Sequence, residues 1–238
     1  VFLLTIFLLI ASINTFAYDF AIDGIYYNVL SEENHECEVT GYKEITNSDL
    51  IIPATVTDDK NTKYTVTCIN WFAFDGCSEL TSVIIPKSVT FIAFGAFQNC
   101  KNLNTAIIEE GETDITLQSG CFTSVKKLVV NRNIVKDDNI SPFSPELNNV
   151  ELGNQLSNIC NGLFAECSGL TSIKIPSSVT RIGKKAFYGC SGLSTISIPK
   201  NVTSIGSEAF SECKDQTAII EEGETDITLQ SGCFTSVK

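Results

Sequence analysis

A 23-residue step recurs along this chain and limits its fold more than any other feature. Leu170 to Cys190 (LTSIKIPSSVTRIGKKAFYGC) is followed by Leu193 to Cys213 (LSTISIPKNVTSIGSEAFSEC). Leu80 to Cys100 (LTSVIIPKSVTFIAFGAFQNC) carries the same pattern. Pro176 and Pro199, Phe187 and Phe210, and Phe74 and Phe97 each stand one step apart. Phe122, Phe143 and Phe164 mark weaker coils and Phe234 opens a last one, so the landmarks predict about eight coils. A period of this size is the signature of a solenoid, whose units are too small to bury their own apolar faces and fold only against neighbours.

Each position in the coil has a physical reading. Ile173 and Ile175 alternate with Ser172 and Lys174, the period of two of a half-buried strand. Pro176 has no N–H and closes that strand. Val179 and Ile182 return apolar groups to the interior, and Gly183 marks another bend. Ala186 and Phe187 then predict a short helical or irregular turn. One coil buries roughly six apolar side chains at about 1.5–3 kcal/mol each when both faces are covered. Stacked about 4.8 Å apart, the coils predict a rod on the order of 40 Å long.

A longer duplication overlies the short one. Thr105 to Lys126 (TAIIEEGETDITLQSGCFTSVK) recurs unchanged as Thr217 to Lys238, 112 positions later. Blocks of coils have been copied as units, which is how solenoids lengthen.

The pattern Leu-x-x-Ile-x-Ile-Pro-x-x-Val-Thr-x-Ile-Gly-x-x-Ala-Phe-x-x-Cys resembles the BspA-type leucine-rich repeat of surface and secreted proteins. The resemblance covers about Leu50 to Lys238. Two coils fit nearly throughout, while Leu80 to Cys100 departs mainly at Ala93, where glycine is usual. It implies an α/β leucine-rich-repeat solenoid, a β-dominated right-handed coil with a parallel sheet on its concave side. It also implies adhesion to matrix proteins of the fibronectin or fibrinogen kind, or to other cells.

Outside the repeats, Val1 to Ile13 is an uncharged apolar run, and Thr15-Phe16-Ala17 has small-residue cleavage character. Thirteen residues fall short of the roughly 20 needed to span a bilayer, so residues 1–17 read as a truncated secretory signal peptide. The absence of methionine at position 1, and a second copy that stops where the first continues, predict truncation at both ends. Residues 18–46 then read as a capping hairpin, with strands over Ile25 to Leu30 and Glu36 to Tyr42, and 47–238 as the solenoid. A secreted or surface location follows, with no membrane insertion of the mature chain. A net charge of -12 argues against nucleic acid, because phosphate contacts require positive charge.

Signs of catalysis or cofactors are lacking, and the expectation is a non-enzyme with no cofactor and no metal. The single histidine, His35, sits in a polar turn without an oriented acid. Cys77, Cys100, Cys167, Cys190 and Cys213 share one slot that elsewhere holds Val125 and Val237. Valine as the alternative marks the slot as buried, yet stacked neighbours also approach bridging distance. Reduced ladder and bridged rungs both remain open, and Cys37, Cys68 and Cys160 fall outside the slot. The acidic run Glu109, Glu110, Glu112 and Asp114 reads as a solvated turn, with weak calcium binding as the alternative. Asn139 and Asn201 open glycosylation sequons.

The candidate binding face consists of outward strand positions: Ser82, Ile84, Thr105, Ile107, Ser172, Lys174, Thr195 and Ser197. They should align as rows on the concave sheet, suited to broad contact with a protein or glycan. The expected function is an extracellular adhesion or recognition module. The alternative is a passive spacer presenting another domain. An uncapped last coil further predicts end-to-end self-association.

Overall fold

The computed structural model describes residues 17–45, 47–136, 140–213, 217–223 and 226–234. The expected leader, apart from Ala17, lies outside the described residues. The chain winds through two parallel ladders, so each coil contributes one front strand and one rear strand. In front, β4 (Asp49–Ile51), β7 (Ser82–Ile85), β9 (Thr105–Ile108), β11 (Lys127–Val130) and β13 (Asn149–Leu152) form one sheet, and β16 (Thr195–Ile198) pairs with β18 (Thr217–Ile220). Behind, β6 (Lys63–Ile69), β8 (Phe91–Ile92), β10 (Ile115–Leu117) and β12 (Ile134–Val135) continue one sheet, with β5 (Thr55–Thr57) antiparallel on β6. Further along, β14 (Asn158–Ile159), β15 (Arg181–Ile182), β17 (Ser204–Ile205) and β19 (Thr228–Leu229) form the rear ladder.

At the N-terminal end, β1 (Phe20–Ile22), β2 (Ile25–Ser31) and β3 (Glu36–Tyr42) make an antiparallel meander, and β3 pairs parallel to β6. The meander thereby gives the first rear strand a partner instead of an open edge.

The core is organised around a column of rings. Phe74, Phe97, Phe122, Phe143, Phe164, Phe187, Phe210 and Phe234 stack face to face in seven pairs, with centroids 5.0 to 6.1 Å apart. Tyr42 of β3 lies on Phe74 at 5.8 Å and begins the column. Eight rings bound seven turns, so the solenoid has about seven rather than eight. Along β7, β9 and β11 the inner residues (Val83 and Ile85, Ala106 and Ile108, Leu128 and Val130) are fully buried.

Two expectations need correction. No helix occurs among the described residues, so the fold is a β-solenoid and not α/β. The Ala-Phe segment forms turns, for two reasons. Lys185 (φ 55) and Gly189 (φ 71) take left-handed backbone, which interrupts a right-handed helix. In addition, Phe187 N–H donates to the Ala209 carbonyl of the next coil, as Phe74 does to Ala96 and Phe164 to Ala186. Amides committed to a neighbouring coil are lost to a helix.

The second correction concerns Ser172 to Ile175. Its alternation is as regular as any in the sequence, yet it belongs to neither front sheet. Ile173 and Ile175 still point inward and are buried. The coil is held from behind, where β15 pairs with both β14 and β17. Among the described residues no helix is long and apolar enough to cross a membrane.

Candidate binding face

Because front strands alternate, every second residue faces out, and the parallel register lines these residues up across coils. One row runs Asp49, Ser82, Thr105, Lys127, Asn149, and the row beside it runs Ile51, Ile84, Ile107, Val129, Glu151. The first row is polar, and its first two members are bonded to each other. Ser82 Oγ donates to Asp49 Oδ1 at 2.6 Å and Thr81 Oγ1 to the same oxygen at 3.2 Å. Lys127 Nζ bridges across to Glu151 at 2.8 Å. The second row is aliphatic over four coils: Ile51 is 66% exposed, and Ile84, Ile107 and Val129 are half-buried.

The eight residues expected on this face do not lie in one sheet. Ser82, Ile84, Thr105 and Ile107 sit side by side on β7 and β9. Thr195 and Ser197 are on β16, opposite Thr217 and Ile219 of β18. Ser172 and Lys174 are exposed on the unpaired stretch between the two sheets. Ser197 Oγ donates to Glu221 at 3.1 Å. At the break, Val150, Leu152, Lys174, Ile175, Pro176 and Pro199 line a cleft of about 430 Å³ flanked by Glu151 and Glu221. Sequence reasoning missed Lys127, Val129, Asn149 and Glu151. The alternation Lys127-Leu128-Val129-Val130 was the available signal, obscured by weak landmarks around it.

All ten cysteines are unbridged. In the shared slot, Cys100, Cys190 and Cys213 donate S–H to the carbonyls of Phe74, Phe164 and Phe187 at 3.0 to 3.1 Å. Burial pushes the Cys100 thiol up to about 12 and Cys213 up to about 11. These thiols are held protonated and therefore poor nucleophiles. Cys37 is fully buried on β3, while Cys68, on the paired strand, lies opposite Glu38 and interacts with that carboxyl. His35 packs edge-on to Tyr64 in the β2–β3 turn.

The acidic turn leads to a residue that sequence reasoning did not single out. Glu109, Glu110, Glu112 and Asp114 are exposed, but Arg132 of the next coil is 1% exposed. Its guanidinium reaches past Gly111 to the preceding turn. There Nη1 donates to the Lys87 carbonyl at 2.9 Å, and Nη2 to those of Val89 at 2.6 Å and Pro86 at 3.2 Å. Burial lowers its pKa, opposed by Glu109 and Asp114. Among the described residues, no group of three His, Cys, Asp or Glu side chains could hold a metal ion. Asn201 Nδ2 donates to the Ser177 carbonyl, and Asn139 lies outside the described residues.

The family profile of the BspA type leucine rich repeat region matches residues 57–144 and 141–238, in six copies. A leucine rich cell surface protein of Faecalibacterium prausnitzii A2-165 superposes with a TM-score of 0.58 at 24% identity, over 84% of this chain and 54% of that one. The chain thus spans about half of that protein's solved length. A leucine-rich repeat protein of Bacteroides ovatus matches at 25% identity with a TM-score of 0.44, over 89% of this chain and 67% of that one. No curated protein matches the sequence significantly.

Proposed function

The chain belongs to the BspA-type leucine-rich-repeat family, and on that premise we propose that it is an extracellular or cell-surface recognition module acting through the outer face of the front ladder, without catalysis. Its partner is a matrix protein, a glycan or the surface of another cell. One observation carries this reading: the aliphatic row Ile51, Ile84, Ile107 and Val129 runs across four coils beside a polar row, Asp49, Ser82, Thr105, Lys127 and Asn149. Outer positions that only keep a sheet soluble need no β-branched aliphatics, whereas an interface core is apolar with a polar rim. The row offers repeated shallow contact, so binding gains from several coils acting together.

The test is saturable binding of the chain to immobilised fibronectin and fibrinogen, compared with Ile84→Lys, Ile107→Lys and their double variant. Each single variant is expected to weaken binding about tenfold, equivalent to about 1.4 kcal/mol. Lys174→Glu with Ser197→Glu tests whether the second front sheet takes part. Absence of binding to either protein by a folded sample would favour the spacer.

A further inference from the structure

The corner that follows each rear strand has two slots just before the stacked phenylalanine, the first of them turned outward. Further along the solenoid these slots hold Ser119-Gly120, Ile140-Ser141, Asn161-Gly162, Lys184-Lys185 and Ser207-Glu208, none of them aromatic. The first two coils differ: there the slots hold Trp71-Phe72 and Phe94-Gly95. The fold plainly accepts small or charged residues in these slots, so the coil does not require aromatics. Trp71, the only tryptophan, is 64% exposed, and Phe72 and Phe94 are about 45% exposed.

Two of the three rings are in contact, and the backbone that carries the third is fixed. Phe72 and Phe94 meet edge to face at 5.6 Å. The Phe72 ring lies over Gly95, where an added Cβ would come within 2.5 Å of it, and Phe94 lies near Gly120. The Phe94 amide is fixed by Gln118 Oε1 at 2.8 Å, and the Trp71 amide by Asn70 Oδ1 at 2.7 Å. Next to this corner, Tyr18 stacks on Tyr26 at 4.2 Å, and Tyr26 borders the space above Gly41 that the Ala73 carbonyl also borders.

We propose that Trp71, Phe72 and Phe94 form a second binding site, separate from the front ladder, that stacks against the sugar rings of a neutral polysaccharide. The chemistry selects this partner. The slots of the first three coils, Trp71-Phe72, Phe94-Gly95 and Ser119-Gly120, carry aromatic rings and a hydroxyl but no charge, in a chain of net charge -12. Ring faces take the apolar face of a sugar, and the Gln118 amide nitrogen, whose oxygen holds the Phe94 N–H, is a donor for its hydroxyls. Successive coils advance about 4.8 Å, close to the rise per sugar of an extended β-linked chain, so one sugar can sit against each coil. An anionic glycan would find no cation here.

The sole tryptophan is the reporter. Titration of the whole chain with cellohexaose, laminarin and mannan should shift Trp71 emission saturably for at least one, and the same glycan should retard the protein in affinity electrophoresis. Trp71→Ser and Phe94→Ser, which install the serine of Ser119 and Ser207, should each weaken retardation at least tenfold with unchanged thermal unfolding. Phe72→Lys, copying Lys185, should do the same from a backbone position that already accepts lysine. Ile84→Lys and Ile107→Lys on the front ladder should leave glycan retardation intact, which separates this site from the face proposed above. No emission shift and no retardation with all three glycans would overturn the proposal. So would retardation unchanged in the serine variants, or loss of matrix-protein binding alone in those variants, which would assign the rings to a protein partner.

Discussion

The two copies of TAIIEEGETDITLQSGCFTSVK have the same sequence and different environments. In the first, β9 is hydrogen-bonded to β7 and β11, and Ile108, Ile115, Leu117, Cys121 and Phe122 are fully buried. In the second, β18 pairs with β16, and among the described residues it has no strand on its other side. Ile219, Ile220 and Leu229 are then about half exposed. The residues do not carry their burial with them; the next coil supplies it. A solenoid coil is an incomplete core, and its stability is largely an interface property.

That contrast can be broken most sharply at the rings. Phe122→Ala removes a fully buried ring stacked on both sides and should cost about 3–5 kcal/mol. The same change at Phe234, which among the described residues stacks on Phe210 alone, should cost less than half as much in this 238-residue chain. Urea unfolding of the two variants measures the difference, and equal losses would show that coverage is not its source.

Ile108→Ala should cost about 2–4 kcal/mol, whereas Ile220→Ala should stay within about 0.5 kcal/mol, because large-to-small costs follow burial. Arg132 extends the comparison to the acidic turn of the first copy. Its guanidinium satisfies three carbonyls of the Pro86 to Val89 turn, so Arg132→Met should cost about 2–3 kcal/mol. Arg132→Lys should recover little of this, since one ammonium cannot reproduce the planar fork. Full recovery by lysine in the same urea assay would refute the geometric role.

A smaller effect is expected in alkali. The Cys213 thiol moves from an ordinary 9.0 up to about 11 through burial, and Cys100 up to about 12. The folded state thus favours the neutral thiol. Stability from this source is fully present below about pH 9 and is lost as the pH rises toward 11 to 12. The urea midpoint should fall over that range, and less steeply in Cys213→Val. At neutral pH, Cys213→Val should change stability by about 1 kcal/mol or less, because Val125 already occupies this slot in the first copy.

Much of the solenoid was legible because its determinants are local and repeated. The 23-residue step locates the phenylalanine column, and the shared Cys/Val slot reads as buried. Val83, Ile85 and their counterparts read as inner strand residues from alternation alone. The binding face was legible only in part. Ser82, Ile84, Thr105 and Ile107 follow from the period of two. Lys127, Val129, Asn149 and Glu151 belong to coils with too few landmarks to align. The aromatic corner was missed because Trp71 and Phe94 look like core residues until the fold turns their slots outward.

The residues by themselves determined the period, the inner and outer alternation and the identity of the stacked rings, because each follows from side-chain chemistry within one coil. Tertiary structure alone decided which amides bond forward to the next coil, and so why the Ala-Phe segment turns instead of forming a helix. It also decided that Ser172 to Ile175, regular in sequence, stands outside the front ladder, and that Arg132 crosses a neighbouring coil to reach Pro86, Lys87 and Val89. Each of these depends on a group one or two coils away, whose distance is set by stacking and is absent from any single repeat.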